Sequence, residues 1–243
     1  MLKDQVVMIT GASKGLGRAL AMAFGEKGAK LAICARGQEK LRKVEKELRN
    51  MGVQVLAVQA DASNPFDIER FVSITEKEFG KIDVLINNAS VLGPSPMPIL
   101  ADYPADEFLN VLRVNAFGPF LVTKRVLPGM LLRNEGTIIN ITSEAGHIGY
   151  EGWGAYGVSK FALEGLTEIW AEELANTNIR MNMVDPGEMD TEMHQLAVID
   201  CDYPLAKPEE IVDVFLYLVS KEGAHIHGQR IEAQKFLKRG ENQ

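Results

Sequence analysis

The stretch that decides the fold is Thr10-Gly11-Ala12-Ser13-Lys14-Gly15-Leu16-Gly17, which follows a short apolar run at residues 6–9. Glycine permits a tight turn and lets another group approach the backbone closely. An amphipathic pattern begins directly after these glycines, so they are predicted to join a buried strand to a helix. The N–H groups at the start of such a helix attract anions. The segment therefore predicts a turn that binds the phosphates of a nucleotide.

Outward from this turn, short β-branched runs alternate with amphipathic stretches. Continuous apolar runs of this length are typical of strands buried on both faces of a sheet. Repeated strand–helix–strand units form right-handed crossovers and a parallel sheet. Residues 1–243 are therefore predicted to form a single α/β domain, a Rossmann-like doubly wound parallel sheet with helices on both faces. The predicted strands are 6–9, 30–35, 53–58, 84–87, 137–141 and 179–184, and the predicted helices are 18–27, 39–50, 66–79, 105–133 and 153–176.

Composition narrows the function classes. The 243 residues are 46% hydrophobic and 24% charged, and their formal net charge is −7. This acidic balance lacks the basic footprint of proteins that bind nucleic acid or anionic membranes. No window approaches a membrane span, and the N-terminus lacks the pattern of a signal peptide, so a cytoplasmic location is expected. Cys34 and Cys201 are far apart in the sequence, and no metal site is predicted.

The end of the second predicted strand indicates which nucleotide binds. An acidic residue about 20 residues after the glycines would accept hydrogen bonds from an adenosine ribose. Here the strand ends in Cys34-Ala35-Arg36, without an acid. Arg36 can form charge-assisted hydrogen bonds to a 2′-phosphate, and Lys14 adds a second cation. These residues favour NADP(H) over NAD(H), although each could be an ordinary surface cation.

Proton-handling residues are predicted in the second half of the chain. Tyr156 and Lys160 are four residues apart on a predicted helix and so share a face, where the ammonium would lower the pKa of the phenol. Such a tyrosine can act as a general acid toward the oxygen of a substrate carbonyl. Ser143 follows a strand, and its hydroxyl could donate a hydrogen bond to the same carbonyl oxygen. Asn115 lies in mid-helix before Gly118, where a local break could turn its amide toward a water near Lys160. The alternatives are a surface Tyr–Lys pair, a serine that caps a turn and a plain helix break.

In this order and spacing, the motifs resemble the short-chain dehydrogenase/reductase family. They are the glycine turn, Asp61-Ala62-Ser63, Asn87-Asn88-Ala89, the four residues Asn115, Ser143, Tyr156 and Lys160, and finally Pro186-Gly187 with Thr191. The resemblance implies a catalytic tetrad of Asn115, Ser143, Tyr156 and Lys160. Tyr156 would be the acid/base, Ser143 would orient the carbonyl, Lys160 would also bind the nicotinamide ribose, and Asn115 would anchor a proton-relay water.

The resemblance also implies the cofactor contacts. Asp61 is expected at the adenine, Asn88 and Ala89 beside the adenosine ribose, and Thr191 at the nicotinamide carboxamide. The complete set of expected cofactor contacts is Gly11, Ser13, Lys14, Gly15, Leu16, Gly17, Arg36, Asp61, Ala62, Asn88, Ala89, Tyr156, Lys160, Pro186, Gly187, Met189 and Thr191.

Three positions depart from the family pattern. Ser90 stands where glycine is usual, and Asp185 stands where asparagine is common. The tail at residues 228–234 reads Gly-Gln-Arg-Ile-Glu-Ala-Gln instead of ending in Asp-Gly-Gly. Because that tail often contributes to the tetramer interface, the resemblance implies a homodimer or homotetramer without deciding between them.

Three segments, near 90–103, 144–153 and 188–205, are expected to contact a small-molecule carbonyl or alcohol substrate. The candidate wall residues are Met97, His147, Ile148, Tyr150, Trp153, Met189, Met193, His194 and Leu196. Residues 188–206 contain no Lys or Arg, which disfavours an anionic substrate. The leading hypothesis is an NADPH-dependent reductase of a small or medium neutral ketone or aldehyde, reversible as an alcohol dehydrogenase.

Two other functions stay open. The first is a 3-oxoacyl thioester reductase, which would need a basic docking patch such as Lys124, Arg125 and Arg133. The second is a catalytically silent regulator that senses NADP(H).

Overall fold

The fold is a parallel sheet with helices on both faces, as the sequence predicts, and it has seven strands, one more than predicted. A computed structural model describes residues 2–240, and the side chains of residues 2–236. The strands are β1 Val6–Thr10, β2 Lys30–Ala35, β3 Val55–Gln59, β4 Val84–Asn87, β5 Gly136–Ile141, β6 Ile179–Asp185 and β7 Arg230–Glu232. Their order in the sheet is β3-β2-β1-β4-β5-β6-β7, so successive strands are added on one side of β1 up to β3 and on the other side from β4 onward. The α-helices are α1 Gly15–Glu26, α2 Gln38–Asn50, α3 Pro65–Phe79, α4 Ala105–Leu112, α5 Gly118–Arg133, α6 Gly154–Glu173, α7 Glu192–Ala197, α8 Val212–Val219 and α9 Ala233–Gly240.

Alternate residues of the central strands enter two apolar layers. Val7 and Ile9 of β1 pack in one layer with Phe24 of α1 and Phe215 of α8. Met8, between them, enters the other layer, which contains residues of α3, α5 and α6. Burial on both faces explains why the strands read as continuous apolar runs.

The helix predicted over 105–133 is present, and the break predicted at Asn115 takes the form of a π turn within the continuing helix. The chain passes from α4 through a π turn, Arg113–Phe117, directly into α5. The N–H of Gly118 donates to the carbonyl of Arg113, so the extra residue is absorbed within the helix. A Cβ at Gly118 would lie 3.2 Å from the carbonyl oxygen of Ala62, which explains the glycine at this close approach.

The C-terminal third contains elements that the sequence analysis did not predict. The segment from 188 to 205 includes α7, and α8 follows it. β7 pairs in parallel with β6, and Arg230 lies opposite Met183 in the register. A three-residue strand with two charged side chains carries no clear apolar pattern, which is why it was missed. Within residues 2–240, no helix is both long and apolar enough to span a membrane.

Candidate active site

A cleft of about 1090 Å³ opens at the carboxyl ends of the strands, around the point where the strand order reverses. Open α/β sheets bind their ligands at this position. All of the residues predicted to contact a cofactor line the cleft, from Gly11 of the glycine turn to Thr191 before α7. Ser143, Tyr156 and Lys160 line it as well, whereas Asn115 does not.

The glycine turn leaves room for a phosphate at the start of α1. Gly11 and Gly15 have φ angles of +68° and +53°, which favour glycine. A Cβ at Gly17 would lie 2.5 Å from the carbonyl oxygen of Gly11. Lys14 precedes α1 and its side chain does not cap the helix, so the first N–H groups of α1 are available to an anion. The turn therefore fits the pyrophosphate of a dinucleotide.

Asn88 holds the glycine turn in place. Its amide nitrogen donates to the carbonyl oxygens of Thr10, at 2.9 Å, and Gly11, at 3.1 Å. The Thr10 hydroxyl accepts hydrogen bonds from the N–H groups of Asn88 and Ala89. The Asn88 side chain thus supports the cradle, in addition to lining the cleft where the ribose was expected. On β3's side of the cleft, the Asp61 carboxylate accepts two hydrogen bonds from Ser63.

Three cations line the cleft near the ends of β1 and β2: Lys14, Arg36 and Lys40. Glu192 of α7 reaches across to two of them, with 2.5 Å to the Lys14 ammonium and 2.8 Å to the Lys40 ammonium. These hydrogen bonds and charges lower the pKa of Glu192 to about 2. Within the described residues the Arg36 guanidinium forms no ion pair, so it is available to a phosphate. Sequence reasoning missed Lys40, which lies in the first turn of α2, four residues after Arg36.

Tyr156 and Lys160 are buried side by side on α6, with 8% and 2% of their surfaces exposed. The Lys160 ammonium lies 5.5 Å from the centre of the Tyr156 ring and donates to the carbonyl of Ile141 at 2.8 Å. Burial raises the pKa of Tyr156 to about 12, while a hydrogen bond with Ser143 acts in the opposite direction. Burial also lowers the pKa of Lys160 to about 8. The predicted lowering of the Tyr156 pKa by Lys160 is therefore not observed, because desolvation dominates both groups.

Asn115 is fully buried in the π turn, beneath the cleft. Its amide oxygen accepts from the N–H of Val91 at 2.8 Å, and its amide nitrogen donates to the Val91 carbonyl at 2.8 Å and to the Ser159 hydroxyl at 3.0 Å. These partners engage the amide of Asn115 within the protein, and its expected role in anchoring a proton-relay water stays a prediction. Asn115 ties the segment after β4 to α6.

The predicted substrate wall is largely assembled in the cleft, although Met97 and Leu196 do not line it. His194 is buried and its ring lies 3.3 Å from the Glu188 carboxylate, which also accepts from the Tyr203 hydroxyl. The C-terminal segment supplies wall residues that sequence reasoning missed, because the tail departs from the family pattern. They are Arg230, Glu232, Gln234 and Lys235.

Fold and site together define a nucleotide-binding α/β oxidoreductase. Residues 5–201 match the short chain dehydrogenase family, so the chain belongs to that family. It is an oxidoreductase that acts on CH–OH or C=O groups with a nicotinamide cofactor.

Several known proteins are similar to this protein over nearly the whole chain. The 3-oxoacyl-[acyl-carrier-protein] reductase FabG of Thermotoga maritima is 33% identical over 95% of this chain and 96% of its own length. The structure of actinorhodin polyketide ketoreductase with NADPH is 31% identical, covers 94% of this chain and 95% of its own, and gives a TM-score of 0.87. NAD⁺-bound xylitol dehydrogenase is 30% identical, covers 95% and 98%, and also gives 0.87.

Proposed function

We propose that this protein is an NADPH-dependent reductase of a small or medium neutral ketone or aldehyde, reversible as an alcohol dehydrogenase. The observation that carries the proposal is that Ser143, the buried Tyr156 and Lys160 line one cleft, with the Lys160 ammonium 5.5 Å from the centre of the Tyr156 ring. A bound nicotinamide supplies or accepts the hydride. Ser143 then donates a hydrogen bond to the carbonyl oxygen, and Tyr156 gives that oxygen its proton.

The protonation states suit reduction. Since burial raises the pKa of Tyr156 to about 12, its phenol stays protonated at neutral pH and can act as a proton donor. Lys160, with a pKa lowered to about 8, is still largely cationic at pH 7 and can bind the nicotinamide ribose. Asn115 supports the active site by holding the segment after β4 against α6.

A carbonyl panel tests this proposal. Oxidation of NADPH and of NADH is followed by absorbance with aliphatic ketones, aromatic aldehydes, diketones and an oxoacyl thioester. We expect neutral ketones or aldehydes to be reduced fastest, with NADPH preferred. A polyanionic compound or an acyl phosphate as the best substrate would contradict the substrate class.

The preference for NADPH depends on the cations at the ends of β1 and β2. Replacing Arg36 by aspartate removes a charge-assisted contact to a 2′-phosphate and adds repulsion. We expect the KM for NADPH to rise by about 10- to 100-fold, and the KM for NADH to change much less. Initial rates measured with each cofactor give the ratio of the KM for NADPH to the KM for NADH. Arg42→Asp is the matched control, because Arg42 is an exposed arginine of the nearby α2 that does not line the cleft. An unchanged cofactor ratio in Arg36→Asp would show that the assignment is wrong.

The thioester hypothesis is the second candidate, and the similarity to the Thermotoga maritima reductase favours it. The basic patch suggested for a carrier protein is weakened by pairing within the chain. Arg125 forms ion pairs of 2.8 and 2.9 Å with Glu69 and Glu76, and Arg133 donates to the carbonyl of Ile82. The oxoacyl thioester in the panel separates the two candidates.

The protein is also proposed to form a homodimer or a homotetramer. Apolar side chains are exposed along one face of α6, where Val158, Phe161 and Ile169 are spaced at helical intervals, and Phe117 is exposed near the start of α5. An apolar face of this kind is typical of an interface. Sedimentation velocity is expected to give a mass of two or four chains, and a single 26.8 kDa species would contradict the proposal.

A further inference from the structure

Arg230 of β7 is enclosed by polar groups beside the proposed catalytic residues. Its Nε donates to the Glu164 carboxylate at 3.0 Å, and its Nη2 donates to the Asp185 carboxylate at 2.7 Å. Nη2 also donates to the main-chain carbonyl of Ser143 at 3.1 Å. The side chain of Arg230 is 19% exposed, and those of both carboxylates are 8% exposed. Two buried carboxylates therefore pair with one partly buried guanidinium, and a third, the more exposed Glu232, lies 3.9 Å from its Nη1.

The partners of Arg230 come from three different elements around the cleft. Ser143 follows β5 and carries the hydroxyl proposed to polarise the carbonyl. Glu164 lies one turn beyond Lys160 on α6 and also accepts from the Thr142 hydroxyl at 2.6 Å. Asp185 ends β6, where its carboxylate accepts from the N–H of Gly187 at 2.9 Å. One guanidinium therefore fixes the relative positions of β5, α6 and β6 at the site.

We propose that Arg230 is a positioning residue for carbonyl reduction, which holds the Ser143 main chain in place and neutralises the Asp185 and Glu164 carboxylates beside Tyr156 and Lys160. The inference rests on the proposed function. It also joins two departures from the family pattern, because the aspartate at 185 and the altered tail that contains Arg230 meet in space. The positive charge of Arg230, in the tail, offsets the negative charge of the additional carboxylate, Asp185.

The electrostatic consequence has a definite sign. Asp185 raises the pKa of Tyr156, in the same direction as burial. Asp185 and Glu164 raise the pKa of Lys160, against the larger effect of burial. Arg230 from β7 is the cation paired with both carboxylates. Without Arg230, both carboxylates act on the site with their full charge. Ionisation of the phenol then becomes harder, and the Lys160 ammonium persists to higher pH.

Three variants separate charge from geometry. Arg230→Met removes both, and we expect kcat for the panel's best carbonyl to fall by at least about tenfold, with a smaller change in KM. Arg230→Lys keeps the positive charge but loses the planar guanidinium whose N–H groups reach three acceptors, so its kcat should be intermediate. The double variant R230M/D185N removes the cation together with the extra carboxylate but does not restore the contact to Ser143, so we expect it to recover part of the lost kcat. If Arg230→Met folds poorly, the double variant still tests the proposal.

A matched control comes from the opposite end of β6. Arg180 is also partly buried and donates to the Leu218 carbonyl and the Thr137 hydroxyl. Arg180→Met therefore loses a comparable set of hydrogen bonds far from the cleft, and we expect kcat to stay within about twofold of the parent value.

A titration that needs no substrate completes the test. The ¹³Cε resonance of Lys160, assigned by its loss in Lys160→Met, is followed with pH in each variant. Its midpoint, expected near pH 8 in the parent protein, should rise in Arg230→Met and return toward 8 in the double variant. An unmoved midpoint, or a double variant that stays as slow as Arg230→Met, would overturn the proposal. If the midpoints move as expected but no variant, parent included, reduces any carbonyl, the proposed reaction fails and the neutralising role of Arg230 stands.

Discussion

Replacement of Tyr156 by phenylalanine is expected to lower kcat for carbonyl reduction by about a thousandfold. The substitution removes the only atom of that ring that can give a proton to the substrate oxygen, and it keeps the shape of the buried side chain. The ring contact with Trp153, whose centroid lies 5.7 Å away, does not need the hydroxyl. Fluorescence titration is therefore expected to show NADPH binding within about threefold of the parent protein.

The matched control for this variant is Tyr217→Phe. The Tyr217 hydroxyl lies 3.5 Å from the carbonyl of Glu222, and the residue does not line the cleft. Its loss should leave kcat unchanged. Turnover by Tyr156→Phe at the parent rate would remove Tyr156 from the mechanism. Binding of NADPH by the parent protein without turnover of any carbonyl would favour a nucleotide-sensing regulator instead.

The buried strands and the cofactor cleft could be predicted from the sequence because their signals are local. The glycine turn occupies eight consecutive residues, and Tyr156 and Lys160 are one helical turn apart. A parallel sheet then brings the ends of its strands to one edge, so residues that follow different strands meet in the cleft. For the same reason, the sequence predicts that Ser143, which follows β5, lines the cleft.

The contacts that could not be predicted depend on pairing between distant segments. Glu192 reaches Lys14 across 178 positions, and Arg230 reaches Glu164 across 66. The periodicity of hydrophobic residues in the sequence does not predict such long-range pairs, and β7 is too short to show an alternating pattern. The pKa of Tyr156 was predicted with the wrong sign for a related reason. The sequence shows that a lysine is near, but it does not show that both groups are buried.

Replacement of Lys160 by methionine is expected to reduce turnover by about a hundredfold and, at the same time, to stabilise the fold. Lysine has an ordinary pKa of 10.5, and burial lowers that of Lys160 to about 8 in the folded protein. Below pH 8 the folded state therefore holds a poorly solvated ammonium, which methionine removes. The lost hydrogen bond to the Ile141 carbonyl offsets part of the gain. At pH 7 we expect the free energy of unfolding to rise by roughly 1–2 kcal/mol.

The pH dependence separates this explanation from better packing alone. Between pH 8 and 10.5 the unfolded chain binds more protons at Lys160 than the folded protein does, so this group makes the parent protein more stable as the pH rises. The advantage of Lys160→Met should therefore shrink through this range, and by about pH 10 the lost hydrogen bond to Ile141 should leave the variant no more stable than the parent protein. Urea unfolding at pH 7 and pH 10 measures the difference, with exposed Lys77→Met as the control. An equal advantage at both pH values, or a variant less stable than the parent at pH 7, would show that the buried charge does not limit stability here.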